Sequence, residues 1–264
     1  LSKGGFSPAL FCCDFNVIVL IKNRVRLKKY QLFLDIDFVK KIAYTGGFGI
    51  GMPEILTLTE TSRSRTEGQW KAKLSKAFYE KPTLTVAKEL LGKYLVVRHP
   101  NRILSGRIVE VEAYVGEDDP ACHANAGLTD RNHIMYGLGG FAYIYVIYGM
   151  YHCLNFVTEQ EGFPAAVLIR GVEPKEGVEE MKRRRDTSSV SGLTNGPGKI
   201  CQAFGIDKSF YGMDLTGTRV WVEDRGEKRP PLAQSARIGV TAGKDKLWRF
   251  YVPKSPGVSK DKKR

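Results

Sequence analysis

Four stretches rich in Val, Ile and Tyr, at residues 94–98, 107–114, 142–148 and 165–170, constrain this chain more than any other feature. Side chains alternate between faces along a strand, and β-branched and aromatic residues suit a pleated, half-buried surface. Residues 101–106 offer a turn between the first two runs, and later strands are expected at 219–223 and 249–252. A helix is expected at 84–91, capped by Thr83 after Pro82 and closed by Gly92. A second is expected at 174–185, with Glu179 and Glu180 four residues before Arg183 and Arg184, and a short third at 199–204. These elements do not alternate in βαβ order. The pattern points to an α+β fold, a single compact mixed domain whose antiparallel-rich, curved sheet is surrounded by helices.

Composition narrows the class. The chain has 264 residues, 42% of them apolar, which is enough for a core. Its formal net charge of +13 favours a polyanionic partner, because phosphate contacts release counterions; charge kept for solubility is the plain alternative. Five cysteines, an odd number without a C-x-x-C pair, argue against a zinc ribbon, a thioredoxin-like motif or a disulfide framework, and fit a reducing compartment. The most apolar stretch, residues 9–21, is interrupted by Asp14 and Asn16 and is too short to span a bilayer. Residues 1–51 read differently from the rest, with a basic segment at 22–30 and a Gly-rich one at 45–51, and a polar linker follows at 57–68. The expected organisation is therefore a poorly ordered extension and linker over 1–73, a domain over 74–260 and a basic tail at 261–264. Met52 is the first Met, and the natural start is expected there.

Two segments carry candidate chemistry. In the first, Ile108, Glu110 and Glu112 share one strand face. Two carboxylates on one face fit acid–base work or an ordinary solvated face. His123, in the polar loop that follows, fits a hydrogen-bonded structural residue as well as a functional one. In the second segment, Tyr143 and Tyr145 share a face, while Tyr148 falls at a bend before Gly149. An exposed ring on a basic protein suits insertion between bases; a strand tyrosine in the core or rim is the bland reading.

Taken together, these runs resemble the 3-methyladenine (alkyladenine) DNA glycosylase family. The resemblance covers residues 74–260 and is carried in order by Phe78-Tyr79, Leu90-Leu91-Gly92, the run 106–114, Arg131-Asn132, the run 143–151, Asn195-Gly196-Pro197-Gly198-Lys199, Ala236-Arg237-Ile238-Gly239 and Arg249-Phe250-Tyr251-Val252. It implies a monofunctional glycosylase of base excision repair that flips alkylated or deaminated purines from duplex DNA. On that resemblance Glu112 is the general base, and Arg170 and the Ile238 carbonyl help to hold the attacking water. Tyr114, His123 and Tyr145 wall the base pocket, Asn155 discriminates against guanine, and Tyr148 fills the gap in the helix. Lys199 is expected on the DNA backbone, whereas Arg183, Arg184 and Arg185 fit a solvated helix face. Glu110 takes no role from the family and keeps the reading of a solvated face. The implied partner is double-stranded DNA with damaged purines, bound by a monomer without cofactor or metal and away from membranes. The compartment is the nucleus, a bacterial nucleoid or cytoplasm, or an organelle. Gly257 departs from the family's usual aromatic residue, which bears on the packing of the last strand, and residues 1–51 have no counterpart in the resemblance. Two other readings are an inert lesion binder on the same fold and an RNA-binding module, the latter at odds with the Tyr148 and Glu112 pattern.

Overall fold

The computed structural model describes residues 18–21, 24–27, 33–35 and 72–259, and the chain divides into two units, residues 1–66 and 67–264. In the first unit β1 (Ile18–Ile21), β2 (Arg24–Leu27) and β3 (Phe33–Asp35) form an antiparallel sheet in that order. Cys12, Cys13, Met52, the stretch 57–68 and the tail 261–264 lie outside the described residues.

The second unit is built on one long hairpin. β5 (Tyr94–His99) and β6 (Arg102–Val115) pair antiparallel, joined only by Pro100 and Asn101. The turn expected at 101–106 is therefore shorter than the sequence signals. Ser105 and Gly106 belong to the strand, and Gly106 is there for close approach: a Cβ on it would lie 2.4 Å from Val172 Cγ1. β6 also pairs with β9 (Ala165–Glu176), which continues with β8 (Tyr151–Val157) and β7 (Ala142–Ile147). On the other side of β5 lie β10 (Val220–Asp224) and β4 (Ala72–Lys73). β11 (Ala233–Ser235) and β12 (Arg249–Tyr251) complete the nine-stranded sheet, β12 pairing with β6. Every pairing is antiparallel, and with the helices below this is an α+β fold.

Among the described residues the α-helices are α1 (Lys76–Tyr79), α2 (Thr83–Leu90), α3 (Val178–Arg184) and α4 (Pro197–Phe204). α1 is not signalled in the sequence reading, α4 begins at Pro197 rather than 199, and α2 and α3 differ further. Thr83 does not cap α2; Pro82 stands at the cap position, and Glu159 Oε1 accepts both the Thr83 N–H (2.6 Å) and its hydroxyl (2.7 Å). A distant carboxylate thus does what a local cap does elsewhere. α3 starts at Val178 because Pro174 and Glu176 pair with Gly106 and Ser105, extending β9 along the long β6.

The sheet's two faces have different tasks. One face, with Val111, Ala113, Leu154, Phe156, Val167 and Ile169, packs under α2 and α4 as the main apolar core. The other gathers Tyr143, Met135, Cys122 and Ala124, with Tyr114 and Tyr145 alongside. Apolar residues on one parity and polar or aromatic ones on the other give each strand this division.

Candidate active site

Sheet register assembles the site. A single rung runs across five strands, from Arg249 on β12 through Glu112 on β6, Leu168 on β9 and Asn155 on β8 to Tyr143 on β7. Residues opposite one another on adjacent strands share a face, and Leu168, Asn155 and Tyr143 of this rung form a floor. Over it opens a cavity of about 630 Å³, within the roughly 300–1,000 Å³ of small-molecule sites.

Glu112 is fully buried behind the lining residues Tyr114, Arg170 and Ile238, each of which bonds it. Its Oε2 accepts hydrogen bonds from the Tyr114 hydroxyl (2.8 Å) and Arg170 Nη1 (3.3 Å). Its Oε1 accepts from the Ile238 N–H (2.7 Å) and, among the described residues, from nothing else. A carboxylate oxygen offers two acceptor sites, so Oε1 keeps one for a further donor. Ile238 thus meets Glu112 through its N–H. Burial pushes the Glu112 carboxyl above its usual range, against the pull of Arg170, Ile238 and Tyr114, and Glu110 adds to the rise.

Glu110 is not on a solvated face; it is as buried as Glu112. Its carboxylate accepts from Arg249 Nε (2.7 Å), Arg170 Nε (3.3 Å), and the Ser259 hydroxyl (2.7 Å) and N–H (2.6 Å). Arg170 bridges the two glutamates because β9 bulges there. Glu110 pairs with Gly171 and Val111 with Ile169, leaving Arg170 without an opposite residue. A bulge re-aims the side chain it carries. Burial alone would push the Arg170 guanidinium down, but Glu112 and Glu110 outweigh it and hold it above its usual value. Gly257 fits closely behind this cluster: a Cβ on it would lie 2.8 Å from Val109 Cγ2, and its carbonyl oxygen lies 2.4 Å from where a Gly171 Cβ would be. An aromatic side chain has no room there on this backbone.

The walls of the cavity are aromatic. Tyr114, His123 and Tyr145 line it, with Asn155 on the floor. The His123 ring meets Tyr145 edge-on at 4.6 Å, and its Nδ1 lies 2.8 Å from the Tyr143 hydroxyl. Burial, aided by Arg131, lowers the His123 pKa to about 4, so the ring is neutral near pH 7. Arg131 itself sits over the Tyr145 ring at 5.3 Å. Asn155 donates to the Tyr143 carbonyl (3.1 Å), which fixes its amide within the floor.

At the mouth, Tyr148 begins the turn between β7 and β8 and is 76% exposed. Its φ of 54° precedes Gly149 at 71°. A bulky residue in this region costs about 1–3 kcal/mol, a strain that concentrates at functional sites. The N-terminus of α4 borders the same mouth through Pro197 and Gly198. Lys199 is not among the cavity-lining residues, and its Nζ lies 2.8 Å from Asn195 Oδ1. Arg183 and Arg184 instead pair with Glu180 on α3, both at 2.7 Å, and Arg185 bonds Gln202.

One clamp has no counterpart in the sequence reading. Arg237, inside a motif that carries the resemblance, forms a two-pronged ion pair with Asp119 (2.5 and 2.8 Å), both side chains fully buried. It also donates to the Ala113 carbonyl (3.0 Å) and stacks over Tyr114 at 4.8 Å. The clamp fixes the loop from which the Ile238 N–H reaches Glu112. Only the Arg237-Ile238 adjacency hinted at it; Asp119 lay unremarked in the polar loop. Among the described residues no group of three or more His, Cys, Asp or Glu side chains gathers to hold a metal, and no helix is long and apolar enough to cross a membrane.

Comparison with known proteins bears on the family. The model of a family described as methylpurine-DNA glycosylase (MPG) matches residues 77–256. A protein of Methanocella arvoryzae, provisionally named a 3-methyladenine DNA glycosylase, is 50% identical over 192 residues, covering 71% of this chain and 96% of its own. Similarly named proteins of Alkaliphilus oremlandii (44% over 200 residues; 71% and 99% covered) and Sodalis glossinidius (49% over 177; 67% and 95% covered) align over the same region. These relatives are archaeal and bacterial, and lend the expected nuclear location no support.

Proposed function

The chain belongs to the methylpurine-DNA glycosylase family, and on that premise we propose that it flips alkylated or deaminated purines out of duplex DNA and hydrolyses their N-glycosidic bond. The glycosidic bond of a stacked base is hidden, so the nucleotide must be extruded at a cost of a few kcal/mol. Stacking of the base on Tyr114, His123 and Tyr145, worth about 1–3 kcal/mol per base on aromatic groups, offsets that cost. Tyr148 enters the vacated stack from its strained turn, as wedge residues do. Asn155, fixed in the floor, crowds the exocyclic amino group of guanine. Lys199 and the α4 N-terminus engage the DNA backbone.

In the chemical step a water held on the open site of Glu112 Oε1 attacks C1′ of the sugar. Its proton passes to Glu112, the C1′–N bond breaks, and the bonding pair leaves with the purine. The ionised carboxylate also opposes the positive charge that develops on the sugar. Arg170 holds Glu112 in place and remains charged. No amine takes part, so the product is an abasic strand that is not nicked. The protein acts as a monomer, without a cofactor.

The observation that carries this reading is Glu112 itself: a buried carboxylate held by Tyr114, Arg170 and the Ile238 N–H, three residues that line the aromatic cavity. The test is incubation with duplexes carrying 3-methyladenine, 7-methylguanine, hypoxanthine or ethenoadenine, scoring strand breaks with and without alkali. Alkali-dependent breaks at the lesion support it. Tight lesion binding without breaks would instead favour an inert lesion binder.

A further inference from the structure

The proposed chemistry uses Glu112, yet the more heavily bonded carboxylate is Glu110, with four donors on its two oxygens. Those donors come from three parts of the chain: Arg170 on β9, Arg249 on β12, and Ser259 in the segment beyond it. Three of those donors converge on Oε1 and the Ser259 N–H meets Oε2, and Glu110 stands two residues from Glu112 on the same strand. Arg170 is the link between them: its Nε faces Glu110 at 3.3 Å and its Nη1 faces Glu112 at 3.3 Å. The guanidinium is planar and rigid, so fixing Nε fixes where Nη1 points. Arg249 bonds Glu110 at 2.7 Å and is also the cross-strand partner of Glu112.

We propose that Glu110 is a positioning residue, one that with Arg249 and Ser259 aims Arg170 at Glu112 and sets the charge around that carboxylate. Two carboxylates and two guanidinium groups share the buried cluster, and their formal charges cancel. Removing the Glu110 charge leaves Arg170 facing Glu112 alone and the Arg249 guanidinium, on the neighbouring strand, without its carboxylate partner. The remaining groups around Glu112 are Tyr114 on its own strand, Tyr145 on β7, Cys153 on β8 and the Arg237 guanidinium in the Ile238 loop. Tyr114 and Tyr145 are held well above their usual pKa by burial, and Cys153 is raised to about 11 by the same cause. None of them ionises near neutral pH, so the balance at Glu112 rests on Glu110 and the arginines.

The role as a base rests on the function proposed above, but the electrostatic effect is measurable without catalysis. The experiment is a carbon-13 NMR titration of the Glu112 carboxyl in the full chain, with the resonance assigned by loss in Glu112→Gln. In Glu110→Gln the Glu112 midpoint is expected to fall by about one pH unit, the low end of what a charge within a few ångströms produces. In Arg249→Gln it is expected to rise, and in Arg249→Lys, which keeps the charge, to stay near wild type. Opposite shifts from two losses in one cluster are not the signature of loosened packing. If Glu110→Gln does not fold, the two Arg249 variants decide alone. A folded Glu110→Gln whose Glu112 midpoint stays or rises would overturn the proposal, as would equal shifts in Arg249→Gln and Arg249→Lys. Failure of the wild-type chain to excise any lesion would refute the proposed function and leave this titration intact as a test. With excision in hand, the acid limb of the Glu110→Gln rate profile is expected to move to lower pH; an unmoved limb would count against the role of Glu110 in the reaction.

Discussion

Replacing Asp119 by Asn tests whether the Arg237 clamp holds the reactive loop. Both side chains of the pair are fully buried, with contacts of 2.5 and 2.8 Å. Asn can keep one acceptor for Arg237 but not the charge, which leaves a buried guanidinium uncompensated except for the Ala113 carbonyl at 3.0 Å and a distant hydrogen bond to the Gly243 carbonyl at 3.4 Å. Breaking a buried pair from one side costs about 3–5 kcal/mol. In a unit of this size each kcal/mol lowers Tm by about 2–4 °C, so Tm should fall by roughly 6–20 °C. Urea unfolding of wild type, Asp119→Asn, Arg237→Met and the double variant gives the coupling directly, since the double variant should lose less than the sum of the two. Burial alone would raise the Asp119 carboxyl, but Arg237 outweighs it and holds it below the usual range. The pair's stabilisation is therefore full above about pH 3.9, the unfolded value, and lost as pH falls through the depressed one. Single-turnover excision should fall with stability, because Ile238 follows Arg237. A loss under about 1 kcal/mol, far below the range for broken buried pairs, or zero coupling, would refute the argument; full excision in a destabilised variant would separate the clamp from the Ile238 N–H.

Three further outcomes follow from the site. The Glu112 carboxyl is held above its usual range and must be ionised to act, so single-turnover excision should fall as pH drops through a midpoint above about 4.3. Its contribution to stability has the opposite sign, complete at low pH and lost as pH rises through the raised value; a rate limb at or below pH 4.3 would contradict the assignment. Tyr148→Ala should weaken excision most where the lesion is well paired and least at a mismatch, since a mismatched base is already partly unstacked; equal losses measured on the two duplexes would assign Tyr148 to packing. Asn155→Ser should raise excision of undamaged guanine relative to hypoxanthine, and an unchanged ratio in a competition assay would remove Asn155 from discrimination.

Strands β5, β6, β7, β9, β10 and β12 are legible in the sequence because β-branched and aromatic residues recur through them, whereas β4, β8 and β11 carry no such signal, and the α+β class follows from the order of the elements. The turn at 101–106 and the helix start at 174 were misread for a common reason. Gly106 and Pro174 look like breaks locally, but each sits where β6 and β9 press together. Strand parity correctly joined Tyr143 with Tyr145 and isolated Tyr148 at a bend. It could not tell a solvated pair of glutamates from a buried one, because the cations that allow burial, Arg170 and Arg249, lie 58 and 139 residues from their partners. The Asp119–Arg237 clamp was hidden likewise, across 118 residues. Side-chain pairing at such distances is set by sheet register, which local periodicity does not encode.

The most direct measurement is single-turnover excision by Glu112→Gln beside its binding to the same lesion duplex. Gln keeps the shape but turns one oxygen into a donor, which then faces either the Ile238 N–H or Arg170 and Tyr114. Some stability is lost, on the order of 1–3 kcal/mol for one unsatisfied buried group. The account predicts near wild-type lesion binding with excision slowed by at least about 10²–10⁴-fold, the typical contribution of a general base. Excision at near wild-type rate by a Glu112→Gln protein that binds the lesion would contradict it.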